Sequence, residues 1–265
     1  MKLLRIKLGN PSSHALILLH GFLGMSDNWV PFAKRWAQFF YVIVPDLRNH
    51  GQSPHSSVFT YEAMVEDILE LMEDENIKTV TLLGHSMGGK VAMLMALNYP
   101  EWVQSLVAVD IAPVAYKKTY SRQEDLLRKM ASFDLTSFST RKEIEEALAK
   151  IEANERYIQL IVKNIFRRSD GMFTWKFNLP VLLESLNEIF AFPESNTFVS
   201  MPALFLKGEL SDYIDPDHEG VIKRFFPEAQ IEVIKNAGHW IHVDSPTEFY
   251  ERTTSFLTST ILEKK

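Results

Sequence analysis

A serine flanked by two glycines stands at residues 84–88, where the sequence reads Gly-His-Ser-Met-Gly. The motif follows a short apolar run at 79–83 and precedes a helical apolar pattern at 91–97, which is the context of a strand-to-helix turn. Such a turn is tight enough to need small residues on both sides, and it exposes the serine Oγ above the sheet. The spacing therefore predicts that Ser86 is a nucleophile, with an incidental serine in a glycine-rich turn as the alternative.

A serine hydroxyl needs a base, and His239 is the candidate among eight histidines. It lies in the Ala-Gly-His-Trp segment 237–240, after the last predicted strand and before the final helix. Because the carboxyl ends of parallel strands open at the same edge of a sheet, His239 can lie beside Ser86 despite the distance in sequence. We predict that His239 is the general base, and we assign structural roles to His85 and His242.

Backbone amides beside the serine turn could bind a developing oxyanion. The segment His-Gly-Phe-Leu-Gly at 20–24 follows the first long buried strand, where a loop can face the turn. We predict that the N–H groups of Phe22 and of Met87, the residue after the serine, form an oxyanion hole. The alternative for residues 20–24 is a plain turn at the end of the strand.

The elements that must hold these residues alternate between strands and helices. Continuous apolar runs, typical of strands covered on both faces, occur at 15–19, 41–44, 79–83 and 106–109. Strands alternating with helices predict an α/β fold with a doubly wound, mostly parallel sheet. Helical patterns then replace the strand-like runs until the α/β alternation resumes. We predict a core formed by 1–113 and 201–265, with 114–200 inserted as a helical cap or lid.

These motifs resemble those of the α/β-hydrolase superfamily, most closely the YbfF-type esterases. The resemblance covers nearly the whole chain and is carried by the segments 20–24, 46–54, 84–90, 110–113 and 236–242. The Asp-Leu-Arg-Asn-His-Gly start of 46–54 and the Asp-Ile-Ala-Pro of 110–113 are its most particular parts. The resemblance implies hydrolysis of carboxylic esters, with acyl thioesters as a further class, by a nucleophile at Ser86 and a base at His239.

The third member of a Ser–His–Asp triad has two candidates. The acid must orient the histidine and stabilise its charged form, and the chain order allows an aspartate after either of two strands. Asp110 directly follows one of them. The other strand ends near Gly208, and most of the superfamily that this sequence resembles would place the acid three residues after that glycine. Here that position is Ser211, and Asp212 follows one residue later. The resemblance to the YbfF-type esterases favours Asp110, and Asp212 is the alternative acid.

Apolar residues near the predicted site indicate the kind of substrate. We expect Leu23, Trp175 and Trp240 to line a pocket for an apolar acyl or alcohol group of a small-molecule ester. Arg48 and Lys90 could bind an anionic headgroup, although a structural ion pair is the commoner role for such residues. The predicted chemistry uses no cofactor and no metal ion.

The composition argues against several other classes of function. The chain has 265 residues, a formal net charge of −6 and no cysteine, which excludes disulfides, a thiolate nucleophile and cysteine-ligated metal sites. The sequence has no cluster of Lys and Arg that would bind nucleic acid. It has no apolar run of the ~20 residues that span a membrane. We expect a cytoplasmic protein.

Other activities share parts of this pattern. Dehalogenation and epoxide opening need a carboxylate nucleophile where this sequence has Ser86. Hydrolysis of carbon–carbon bonds and cofactor-free perhydrolysis keep the serine triad and stay open as alternatives, as does a non-catalytic receptor for small ligands. A serine carboxylesterase that works through an acyl-enzyme is the leading interpretation.

Overall fold

A central sheet of seven strands organises the chain. The computed structural model describes residues 1–195 and 197–261, with residues 117–122 described for the backbone alone. These residues form the strands β1 (Arg5–Leu8), β2 (Ala15–Leu19), β3 (Tyr41–Pro45), β4 (Val80–His85), β5 (Val103–Val109), β6 (Ile165–Arg167), β7 (Phe173–Trp175), β8 (Ala203–Gly208) and β9 (Gln230–Ile234). The strand order in the central sheet is β1-β3-β2-β4-β5-β8-β9. Strand β1 is antiparallel to β3 at one edge, and the other neighbours pair in parallel.

Helices connect these strands. They are α1 (Val30–Trp36), α2 (Tyr61–Asp74), α3 (Met87–Asn98), α4 (Lys117–Ala131), α5 (Arg141–Leu148), α6 (Glu155–Lys163), α7 (Leu179–Glu184), α8 (Leu186–Phe190), α9 (Pro216–Phe225), α10 (Ile241–Asp244) and α11 (Pro246–Ile261). Helices α4 to α8 lie in the chain between β5 and β8, together with an antiparallel hairpin of β6 and β7. None of the helices in the described part of the chain is both long and apolar enough to cross a lipid bilayer.

Apolar side chains cover both faces of the sheet, because successive residues of a strand point to opposite sides. Strand β2, in which all five residues are buried, shows the division. Ile17 and Leu19 belong to the cluster that also contains the apolar residues of α2 and α3. Leu16 and Leu18 belong to the cluster formed with α1 and α11. The doubly wound, mostly parallel sheet predicted from the sequence is therefore confirmed.

The segment between β5 and β8 differs in part from its prediction. The sequence indicates only helices there, whereas β6 and β7 form a short hairpin. Strands of three residues are too short for the alternation of apolar and polar residues to mark them. The division into a core and a lid at 114–200 stays a prediction, and Asn196 and residues 262–265, which fall within its ranges, lie outside the described residues.

Candidate active site

Ser86 stands in a tight turn between β4 and α3. Its backbone has a positive φ of 52°, and its N–H donates to the carbonyl oxygen of Val109 at 3.1 Å. Close packing requires the two glycines of the motif. A Cβ on Gly84 would lie 2.2 Å from the carbonyl oxygen of Gly88, and a Cβ on Gly88 would lie 2.5 Å from that of Leu19. The turn is therefore the strained strand-to-helix connection that the sequence predicts.

Asp110 and His239 meet where β5 and β9 end. The His239 Nδ1 donates to Oδ2 of Asp110 at 2.8 Å. Asp110 is fully buried, and its carboxylate also accepts hydrogen bonds from the N–H of Gly208 at 3.0 Å and from the hydroxyl of Ser211. An ionised carboxylate can only accept hydrogen bonds, so the imidazole proton lies on Nδ1. This leaves Nε2 as the basic nitrogen of the ring.

The alternative acid lies elsewhere. Asp212 is exposed, and no hydrogen bond joins it to His239 within the described part of the chain. Its neighbour Ser211 stands at the position where most of the superfamily would carry the acid, and it donates to Asp110 instead. The geometry therefore favours Asp110 over Asp212 as the partner of the histidine.

The loop that carries His239 is held by packing and by hydrogen bonds. The ring of Tyr213 stacks on the imidazole with centroids 3.6 Å apart and 14° between the planes. The N–H of Gly238 donates to Oδ2 of Asp244 at 2.8 Å, and Asp244 also pairs with Arg156 of α6. The orientation of the imidazole therefore depends on contacts from the core and from α6.

His85, the residue before the serine, has the structural role that the sequence predicts. Its Nε2 donates to the carbonyl oxygen of His239 at 2.8 Å. Its Nδ1 faces the loop after β2, where a Cβ on Gly21 would lie 2.7 Å from it. Burial lowers the pKa of His85 well below its ordinary value, and the nearby His239 and His242 act in the same direction. The neutral ring thus lies between the loop after β2 and the loop that carries His239.

The loop after β2 carries Phe22, the first predicted oxyanion donor. Its course depends on Leu23, which has a φ of 60°, donates its N–H to Nε2 of His50 at 3.2 Å and accepts from Nδ2 of Asn164 at 2.7 Å. Burial lowers the pKa of His50 to about 3, so its ring is a neutral acceptor near pH 7. Neither Phe22 nor Met87 donates its N–H to an acceptor among the described residues.

The segment 46–54 supports this loop through His50. His50 is fully buried, although a single histidine in a polar segment shows no burial pattern in the sequence. Arg48 is buried as well and donates to Asp67 of α2 through Nε at 2.6 Å and Nη2 at 2.8 Å. Arg48 therefore has the structural ion-pair role that the sequence analysis gives as the commoner one, and its guanidinium is already paired.

Ser86 and His239 line one cavity. The predicted residues Phe22, Met87, Leu23 and Trp240 line it too, as do Gln123 of α4, Tyr157 of α6 and Ile189 of α8. Among the described residues, no three histidine, aspartate or glutamate side chains converge as a metal ion would need. The cavity is thus bounded partly by the core and partly by the segment between β5 and β8.

Trp175 does not line this cavity, so its predicted place in the pocket is wrong. Its ring stacks on that of Phe177 with centroids 5.3 Å apart and 10° between the planes. Trp175 is the last residue of β7, and Phe177 follows the hairpin. Ile165, which pairs with Trp175 across the hairpin, is buried. The tryptophan therefore packs within its own segment.

Lys90 is a buried cation in the wall of the cavity. Its Nζ donates to backbone carbonyls at the C-terminal end of α8, those of Ile189 at 3.5 Å, Phe190 at 3.3 Å and Ala191 at 2.5 Å. Burial lowers the pKa of Lys90 to about 7, whereas the helix C-terminus favours the charged form. No carboxylate in the described part of the chain pairs with it. Lys90 therefore joins the serine helix α3 to α8.

Most of the chain matches a known protein family. Residues 14–246 match the sequence model of a family described as the alpha/beta hydrolase fold. The chain belongs to the α/β-hydrolase family. The resemblance stated from the motifs is thereby confirmed.

Relatives of this α/β-hydrolase carry the names of esterases and lipases. It is 37% identical over 255 residues to the sn-1-specific diacylglycerol lipase ABHD11 of Mus musculus, covering 94% of this chain and 82% of the relative. It is 32% identical to the esterase YbfF of Escherichia coli K12, covering 87% and 88%. A solved structure described as a marine microorganism esterase aligns with a TM-score of 0.93 at 37% identity, covering 97% and 100%. The α/β-hydrolase is a carboxylic ester hydrolase of the serine-hydrolase type, which argues against the receptor alternative.

The burial of Lys90 predicts a pH-dependent stability. Its pKa is about 7 in the folded chain against an ordinary 10.5, so between these values the unfolded chain binds the additional proton. The free energy of unfolding, taken relative to that of Lys90→Met, should rise with pH across this window by up to about 1.4 kcal/mol per pH unit. It should be flat well below pH 7. Urea unfolding at a series of pH values measures the difference.

Lys142→Met is the matched control, because the Lys142 side chain is 85% exposed. Its difference from the unsubstituted chain should not change between pH 7 and pH 10. Parallel pH curves for Lys90→Met and the unsubstituted chain would contradict the lowered pKa of Lys90 in the folded chain.

Proposed function

We propose that Ser86, His239 and Asp110 form a catalytic triad that hydrolyses carboxylic esters through an acyl-enzyme. The observation that carries the proposal is the 2.8 Å hydrogen bond from His239 Nδ1 to the buried Asp110, in a histidine that lines the same cavity as Ser86. This bond sets the tautomer in which Nε2 can accept a proton. The strained turn at Ser86 supports the same role for the serine.

Each residue has one task in the proposed reaction. His239 Nε2 takes the proton of the Ser86 hydroxyl as its Oγ attacks the ester carbonyl carbon, and Asp110 stabilises the imidazolium that forms. The N–H groups of Phe22 and Met87 donate to the carbonyl oxygen as it becomes an oxyanion. The C–O bond to the alcohol then breaks, and the alcohol leaves with the proton from His239.

Water completes the cycle by the same route. His239 takes a proton from a water molecule as the water oxygen attacks the acyl carbon, and the bond to Ser86 Oγ breaks when the serine regains a proton. The products are a carboxylic acid and the free enzyme. A thioester would form the same acyl-enzyme, with a thiol as the leaving group.

The cavity favours a small-molecule ester with an apolar acyl or alcohol group. Phe22, Leu23 and Trp240 supply apolar surface beside the serine, and apolar walls with few polar groups are typical of ligand pockets. Relatives named diacylglycerol lipase and esterase support esters over the carbon–carbon and perhydrolase alternatives. In this proposal the segment 114–200 is the lid over the pocket, and the cytoplasmic location stays a prediction from the sequence.

The nucleophile can be tested with a fluorophosphonate probe, which labels an activated serine covalently. We expect Ser86→Ala to lose the label and to lower kcat for p-nitrophenyl butyrate by about 10⁶-fold, the size of the loss when a serine protease loses its nucleophile. Ser12→Ala is the control, because Ser12 is exposed on the surface. This substitution should change neither the labelling nor kcat. Labelling that persists in Ser86→Ala would place the nucleophile elsewhere.

The acid can be tested by exchanging a carboxylate for an amide. Asp110→Asn should lower kcat by about 10⁴-fold, because the amide favours the wrong imidazole tautomer. Asp212→Asn is the matched control, and its kcat should stay within about twofold of the unsubstituted enzyme, as expected for an exposed residue away from the histidine. The reverse pattern, with a severe loss only in Asp212→Asn, would move the acid to Asp212.

A further inference from the structure

Gln123 is a polar residue in the wall of the catalytic cavity. It lies on α4, within the segment between β5 and β8, and its exposed fraction is 6%. Its Nε2 donates to the hydroxyl oxygen of Tyr157 on α6 at 2.9 Å. The side chain is thus fixed at its amide nitrogen.

The oxygen of the Gln123 amide has no hydrogen-bond partner among the described residues. This atom, Oε1, is buried. An unpaired buried acceptor loses its hydration without compensation, which is unfavourable for the folded chain. A buried polar atom of this kind needs a partner, and in a ligand cavity the ligand itself can supply the donor.

The polar side chains that share the wall with Gln123 already have partners. The hydroxyl of Tyr61 donates to the carbonyl oxygen of Ile189 at 2.5 Å, and that of Tyr116 donates to the carbonyl oxygen of Tyr213 at 2.7 Å. The Lys90 ammonium donates to the carbonyls at the end of α8. Gln123 Oε1 therefore differs from these groups, because it makes no hydrogen bond to any described residue.

We propose that Gln123 is a specificity residue that accepts a hydrogen bond from a free hydroxyl group of the substrate. The proposal rests on the proposed function, because it concerns the ester that Ser86 would attack. It assigns the enzyme to esters that carry a hydroxyl in addition to the ester group. The hydroxyl satisfies Oε1, whereas an otherwise equal ester without it leaves the acceptor buried and unpaired.

The charge of the cavity restricts the donor to a neutral group. No carboxylate side chain is among the described residues that line the cavity, so the charge of an ammonium donor on the substrate would be buried without compensation. A carboxylate on the substrate would bring an acceptor to an acceptor. A hydroxyl group avoids both conflicts, and its small size suits a wall formed by aromatic rings.

The proposal can be tested with pairs of esters in which a hydroxyl group in one ester replaces a methyl group in the other. One pair places the group on the alcohol (2-hydroxyethyl butyrate against propyl butyrate), and the other places it on the acyl chain (ethyl 3-hydroxybutyrate against ethyl 3-methylbutyrate). We expect the unsubstituted enzyme to prefer the hydroxyl ester in one pair by about tenfold or more in kcat/KM, the size expected for satisfying a buried neutral acceptor. The pair that responds identifies the part of the substrate that Gln123 contacts.

Gln123→Leu should abolish this preference. It removes the acceptor while keeping similar volume, so kcat/KM should fall for the hydroxyl ester and not for its partner, bringing the ratio near one. Gln159→Leu makes the same chemical change on α6, where Gln159 is exposed and bonds to Glu145, and it should keep the full preference. If Gln123 has a purely structural role, Gln123→Leu should lower kcat/KM equally for both esters of a pair.

Two results would overturn the proposal: equal kcat/KM within both pairs for the unsubstituted enzyme, or an unchanged ratio in Gln123→Leu. The first measurement does not depend on whether the variant folds. Fluorophosphonate labelling of Ser86 in every sample separates this outcome from failure of the proposed function. A labelled enzyme with no hydroxyl preference refutes only the role of Gln123, whereas an unlabelled chain refutes both.

Discussion

The hydrogen bond between the Asp110 carboxylate and the His239 imidazole is the contact on which the site depends. A buried carboxylate is costly unless several donors compensate its charge. Here the imidazole, the Gly208 N–H and the Ser211 hydroxyl all donate to it. These donors can converge only because β5, β8 and β9 are neighbours in the sheet and end at the same edge. The parallel sheet thus brings residues that are distant in sequence to one carboxylate.

The segment between β5 and β8 is hydrogen-bonded to the loops that carry the proposed site residues. Asn164 donates to the carbonyl oxygen of Leu23 in the loop after β2, and Arg156 pairs with Asp244, which holds the loop of His239. Lys90 reaches from the serine helix to the end of α8. Movement of this segment would therefore disturb the geometry around the serine and the histidine, so pocket shape and catalytic alignment are coupled in this fold.

Local patterns were sufficient to predict the parts of the structure that local physics determines. Buried strands, the glycine-bounded turn at Ser86 and the position of His239 after a strand all have a signature within a few neighbouring residues. The burial of His50, the carbonyl partners of Lys90 and the stacking of Trp175 have none, because each depends on residues far away in the chain. The unpaired oxygen of Gln123 is likewise visible only once α4 and α6 are packed against the cavity.

The ambiguity between two acids has a structural cause. Strands β5 and β8 are adjacent and parallel, so the residues that follow them both approach the imidazole of His239. Chain order alone therefore allows an acid at either strand end. The contacts separate the two, since Asp110 is buried against Nδ1, whereas the end of β8 contributes a backbone N–H and the hydroxyl of Ser211 to the same carboxylate. With Asp110 as the proposed acid, the end of β8 supplies hydrogen-bond donors to its carboxylate and no acid of its own.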